Sequence, residues 1–140
     1  MAEEIKIKVV AVDDDETILD IYETGLAADG YDIKTFFSPK KAREYFSALK
    51  PGEAPHVILM DIMMPGIDGI SLMHDIHSMD NTAHVPIIAV SGLSDAATLN
   101  DALLFGAMDY MVKPFEMDAL EAKIKRAFEL AQKRAPKPNY

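Results

Sequence analysis

Apolar runs rich in β-branched residues alternate five times along the chain with stretches whose apolar positions recur at helical spacing. The runs cover residues 5–13, 31–36, 56–61, 85–91 and 109–113, and predict strands. The first, third and fourth contain nearly continuous apolar segments (KVVAV, VILM, IIAV), as strands covered on both faces do. Between and after them, residues 15–29, 38–49, 68–79, 95–105 and 116–131 read as helices. Ser38-Pro39 offers an N-cap followed by proline at the first helical position. Gly30 and Gly106 stand where two helices should stop. The last helix places Met117, Leu120, Ile124, Ala127, Phe128 and Ala131 on one stripe. In the first helix, Ile18, Ile21, Tyr22 and Leu26 form the expected core stripe, which turns Leu19 outward.

Strict strand–helix alternation implies an α/β fold: a doubly wound parallel sheet with right-handed crossovers and helices on both faces. Such a sheet takes ligands at the carboxyl ends of its strands, where the strand order reverses. The polar residues that interrupt the pattern stand at those ends. Asp13-Asp14 closes the first run, Asp61 the third, Ser91-Gly92 the fourth and Lys113-Pro114 the fifth. Crowded carboxylates repel one another unless positive charge sits among them. Asp61 opens the run Asp61-Ile-Met-Met-Pro65-Gly-Ile-Asp-Gly69. Taken singly, an aspartate pair after a strand is an ordinary helix cap. The co-occurrence of these residues on the expected strands favours a shared site instead.

Composition narrows the chemistry. With 140 residues, 49% of them hydrophobic, the chain fits one domain (1–131) followed by a tail or linker stub (132–140), where two prolines interrupt helix. A net charge of −9 argues against direct nucleic-acid binding. The basic residues near the C-terminus alternate with acids, as on a solvated helix face. Cysteine is absent, which excludes disulfides, thiol nucleophiles and zinc–thiolate sites. No apolar segment is long enough for membrane insertion and the acidic N-terminus is no signal peptide, so a cytoplasmic location is expected. His74 and His77, three apart, make a surface pair rather than a metal site. The nine methionines fill irregular gaps in packing.

Together, Asp13-Asp14, Leu59–Gly69, Ser91-Gly92 and Asp109-Tyr-Met-Val-Lys113-Pro114-Phe115 resemble a response-regulator receiver domain of two-component signalling, a single-domain, chemotaxis-regulator-like one, over residues 5–131. The resemblance implies five strands in the flavodoxin-like order 2-1-3-4-5. It implies Asp61 as acceptor of a phosphoryl group from the phosphohistidine of a histidine kinase or histidine phosphotransfer protein. Mg²⁺ would be held by Asp14, Asp61 and the Met63 main-chain carbonyl, with Asp13 acting through water. Lys113 and Ser91 would contact the phosphoryl oxygens, a cis Lys113–Pro114 bond aiming the lysine inward. Ser91 and Tyr110 would form the switch that remodels the face of helix four, strand five and helix five for a downstream protein effector. Kinases dock on helix one in this family, which makes Leu19 a candidate contact. Met63 and Leu93, two residues after Asp61 and Ser91, flank the path of hydrolytic water, and their apolar side chains imply slow self-dephosphorylation. Asp15 starts helix one instead of joining the site.

An enzyme reading competes. Asp13-Asp-Asp15-Glu-Thr17 also resembles the haloacid-dehalogenase phosphotransferases, with Asp13 as nucleophile, Asp15 as general acid, and Ser91 and Lys113 on the phosphate. Against it, no strand ending in an acidic pair follows Lys113, and Asp61 is left unexplained. A pseudo-receiver that is never phosphorylated is disfavoured by the intact Asp13, Asp14, Asp61, Ser91 and Lys113.

Overall fold

The computed structural model describes residues 5–64, 67–92 and 96–134. Five parallel strands form one sheet: β1 (Lys8–Val12), β2 (Asp32–Phe36), β3 (Val57–Asp61), β4 (Ile87–Ser91) and β5 (Asp109–Val112). Their order is 2-1-3-4-5. The helices are α1 (Glu16–Ala28), α2 (Pro39–Ser47), α3 (Gly69–His77), α4 (Ala96–Leu104) and α5 (Met117–Arg134). All ten expected elements are present, each a little shorter than its apolar run except α5, which continues to Arg134. One feature has no forerunner in the hydrophobic pattern. Met63–Met64 pairs antiparallel with Ile67–Asp68 in a two-stranded ribbon between β3 and α3.

Alternation along the strands builds the three layers. Val10, Val12, Ile58, Met60, Ile87 and Ala89 pack with Ala42 and Phe46 of α2, Leu72, Met73 and Ile76 of α3, and Ala102 of α4. Their neighbours Val9, Ala11, Val57, Leu59, Ile88 and Val90 face the other way, onto Leu19, Tyr22 and Leu26 of α1 and Leu120, Ile124 and Ala127 of α5. Strands β3 and β4 are buried at every position, which is why their sequences read as unbroken apolar runs.

Local signals set the helix ends. Ser38 accepts the Lys41 amide at 3.3 Å ahead of Pro39. The Asp15 carboxylate accepts the Thr17 amide at 2.9 Å and starts α1. Gly30 and Gly106 take φ of +90° and +121°, the left-handed region in which only glycine is unstrained.

The expectation for Leu19 is corrected. Leu19 is buried at 6% exposure, whereas Ile21 is 44% exposed. The inward stripe of α1 is Leu19, Tyr22 and Leu26, spaced three and four apart, with Ile18 half-buried at its flank. A residue inside the core is no docking contact, and the role drawn from its supposed exposure falls with it.

At the opposite end of the sheet from the acids, the Lys8 amide donates to His56 Nδ1 at 2.9 Å, and the Phe128 ring meets the imidazole edge-on at 5.1 Å. Burial, and then the Lys8 charge, push the His56 pKa down. The fold therefore favours neutral His56, whose ring nitrogen must accept. Below the ordinary imidazole value of about 6.5 the unfolded chain takes up a proton that the folded chain resists. The stabilisation is present above that value and is lost as pH falls through the lowered folded pKa. Thermal melts between pH 7.5 and 5.5 should show a drop in Tm that His56→Gln reduces.

Candidate functional site

Parallel pairing brings four strand ends level. Val12 pairs with Met60, Asp61 with Val90, and Ser91 with Val112. The residues just past or at these ends, Asp13, Asp61, Ser91 and Lys113, therefore meet at one edge of the sheet, across the point where the chain order reverses between β1 and β3. Backbone bonds fix the tips. The Asp13 amide donates to Phe36 O at 3.1 Å, Ile62 N to Val90 O at 3.2 Å, and Lys113 N to Ser91 O at 2.8 Å.

The side chains differ in exposure, and with it in what they can do. Asp13 is 1% exposed, Ser91 1% and Asp61 5%, while Asp14 lies open to solvent. Asp13 Oδ1 accepts the Asp15 amide at 2.9 Å. Its Oδ2 meets Lys113 Nζ at 2.7 Å, and the same ammonium stands 3.6 Å from Asp61 Oδ2. Burial works against the Lys113 charge. The hydrogen bond and charge of Asp13, with Asp61 and Asp15 behind them, outweigh it and raise the ammonium above the ordinary lysine pKa. Lys113 thus enters the cleft as a fixed positive charge, and the Lys113–Pro114 peptide bond is cis.

Carboxylate oxygens of Asp13, Asp14 and Asp61 lie within 4.8 Å of one another. Two like charges at 4 Å repel by about 4 kcal/mol at an effective dielectric of 20. Three carboxylates and one ammonium sum to a formal charge of −2. An all-oxygen donor set of that charge, one member open to water, fits a hard divalent cation that keeps part of its hydration shell. The Met63 backbone follows Asp61 by two residues in the small ribbon.

The cleft is open, about 660 Å³, and lined by Asp14, Asp15, Glu16, Thr17, Phe37, Asp61, Gly92 and Lys113. Phe37, 58% exposed, rims it from the end of β2. No motif marked Phe37 in the sequence. Leu93, expected with Met63 beside the path of hydrolytic water, lies outside the described residues, as does the Met63 side chain. Tyr110, half-buried on β5, lies away from the cleft toward α5. Asp109 Oδ1 accepts both the Tyr110 amide (2.7 Å) and Lys123 Nζ (3.1 Å), and Nζ sits 5.5 Å over the Tyr110 ring.

A model of the response regulator receiver domain family matches residues 9–125. A probable transcriptional regulator, ycf27, of Guillardia theta is 38% identical over 132 residues, which cover 94% of this chain and 49% of that protein. The chain thus spans about half the length of that curated relative. Among solved structures, a CheY-like receiver domain protein from Methanospirillum hungatei superposes with a TM-score of 0.82 at 24% identity, over 94% of this chain and all of the other. The receiver domain of the sensor histidine kinase PA1611 from Pseudomonas aeruginosa, solved with magnesium in its active-site cleft, gives 0.78 at 25%, over 89% and 99% of the two chains.

One small residue fits closely against the Asp61 backbone. A Cβ on Gly69, the first residue of α3, would strike the Asp61 carbonyl oxygen and come within 2.5 Å of Ile62 Cα. Both atoms are backbone and cannot swing aside. Gly69→Ala should therefore lower stability by about 1–3 kcal/mol, the usual cost of overpacking, and weaken Mg²⁺ binding at the three carboxylates. Urea denaturation and a metal titration read the two effects.

Proposed function

Because this chain belongs to the response regulator receiver domain family, we propose that it is a phosphorylation-activated switch whose acceptor is Asp61. The observation that carries this reading is the shared ammonium: Lys113 bridges buried Asp13 and Asp61 at 2.7 and 3.6 Å in an open cleft. The donor is the phosphohistidine of a histidine kinase or histidine phosphotransfer protein. A carboxylate oxygen of Asp61 forms the bond to phosphorus as the P–N bond breaks, and the leaving imidazole takes up a proton. Phosphoryl transfer of this kind proceeds through a loose, highly charged transition state, so positioning and neutralisation supply most of the catalysis. Lys113 suits the task as a compact point charge on a flexible stem. Ser91, buried at the tip of β4, would donate its hydroxyl to a second phosphoryl oxygen.

Asp14, Asp61 and the Met63 carbonyl would hold Mg²⁺ directly, with Asp13 acting through water. Bound there, the ion supplies charge neutralisation between carboxylate and phosphoryl oxygens. Output passes through the face of α4, β5 and α5 to a downstream protein effector. In support, Tyr110 borders a groove of about 190 Å³ with Leu103, Arg126 and Leu130, where a movement of its ring would be felt on the surface. The net charge of −9 leaves direct nucleic-acid binding by this segment disfavoured. No helix among the described residues is long and apolar enough to cross a membrane. The haloacid-dehalogenase alternative needs a further acidic strand after Lys113, and the described chain supplies α5 there.

Acetyl phosphate with Mg²⁺ followed by borohydride reduction should mark Asp61, and Asp61→Asn should take up no phosphoryl group. A mark on Asp13 would instead establish the phosphatase reading. The apolar side chains of Met63 and Leu93 cannot orient an attacking water, so the aspartyl phosphate should be long-lived. Met63→Asn should shorten its half-life several-fold in a decay assay. A slower decay in that variant would refute the assignment.

A further inference from the structure

Tyr22 is 1% exposed, and its hydroxyl has no hydrogen-bond partner among the described residues. Buried hydroxyls ordinarily have one. Helical side chains lean toward the helix N-terminus, and the N-terminal end of α1 is the acidic end of the cleft. The Tyr22 ring stacks nearly parallel on Phe115, with centroids 5.9 Å apart and planes at 11°. Phe115 stands two residues beyond Lys113. The phenol is thus held between α1 and the loop that delivers the lysine. Burial raises the Tyr22 pKa, and the charges of Asp13 and then Asp61 raise it further, so the hydroxyl stays a donor within reach of their field.

Asp13 presents the complementary need. Its Oδ2 is fully buried, and the Lys113 ammonium is its one partner among the described residues. On the phosphoacceptor reading, which this inference rests on, Lys113 turns toward the phosphoryl oxygens carried by Asp61. Asp13 Oδ2 then loses its ammonium partner, and a buried carboxylate oxygen left short of donors is costly.

We propose that the Tyr22 hydroxyl is a positioning group that takes over the hydrogen bond to Asp13 when Lys113 leaves it, and so favours the phosphorylated state. In the unmodified protein the hydroxyl is held in reserve and contributes nothing to stability. Tyr22→Phe keeps the stack on Phe115 and removes only the donor, so it separates the two roles.

The test compares wild-type and Tyr22→Phe proteins by beryllofluoride titration at fixed Mg²⁺, alongside urea denaturation of the metal-free, unmodified proteins. Expected is an affinity for beryllofluoride about 10-fold weaker in the variant, the scale of a hydrogen bond to a charged group. Its urea midpoint should be equal to or above that of wild type. Equal affinities would overturn the proposal while leaving the phosphoacceptor reading intact. A weaker affinity accompanied by a lower urea midpoint would assign the effect to packing and also overturn it. Failure of the wild-type protein to bind beryllofluoride would remove both.

Discussion

One ammonium between two buried carboxylates holds the functional end of this molecule together. Asp13 and Asp61 end strands that lie side by side, because β1 and β3 must pair to bury their apolar residues. The sheet therefore forces two largely buried negative charges together at one edge. Their repulsion is several kcal/mol at the distances involved, and Lys113 offsets it from the end of β5, with β4 lying between that strand and β3. The link is mutual. Burial alone would push the lysine toward neutrality, and the aspartates reverse that. Charge and topology are thus one constraint, since the ion pair that offsets the repulsion of Asp13 and Asp61 also places a cation beside Asp61 in the cleft.

The division of labour among the aspartates follows from exposure. Asp13 is buried and committed at both oxygens, one to the Asp15 amide and one to Lys113. Asp14 is exposed and can exchange water for metal. Asp61 sits between them, buried enough to be shielded yet lining the open cleft. Asp15 uses its side chain to cap α1, whose first residues, Glu16 and Thr17, line the cleft. Gly69 completes the arrangement by letting α3 start directly against the Asp61 and Ile62 backbone.

Most of this is legible in the chain because burial on both faces leaves a plain signature. Strands β3 and β4 read as unbroken apolar runs, and a charged or hydroxyl residue at the end of such a run has only the strand tip to occupy. The α5 stripe is legible from its helical period: Leu120, Ile124 and Ala127 are the buried residues, with Met117 and Phe128 at the margin. Helix α1 is not. Apolar residues at 18, 19, 21, 22 and 26 cover too wide an arc for periodicity to choose the inner face. The sheet chooses Leu19 and leaves Ile21 outside. Phe37 escapes notice because a single aromatic after a strand carries no pattern. Tyr22 belongs to the core as its spacing predicts, but that its hydroxyl lacks a partner is a property of the assembled packing.

If Asp61 takes up a phosphoryl group, as proposed, the charge count sets the direction of the response. The unmodified cleft carries a formal −2 once Lys113 is counted. Converting the Asp61 carboxylate to an aspartyl phosphate exchanges one negative charge for two, on oxygens that project beyond the original carboxylate. Lys113 is shared between Asp13 and Asp61, nearer to Asp13 by 0.9 Å (3.6 − 2.7). The added charge would draw the ammonium from Asp13 toward the modified Asp61, and a divalent cation held by Asp14 and Asp61 would offset part of that pull. Lys113 N is hydrogen-bonded to Ser91 O, so the tips of β4 and β5 are tied beside the charged cluster. Tyr110 lies three residues back along that strand, under Lys123 of α5. A change of charge at Lys113 would thus act on a short strand whose Asp109 and Tyr110 contact Lys123 of α5.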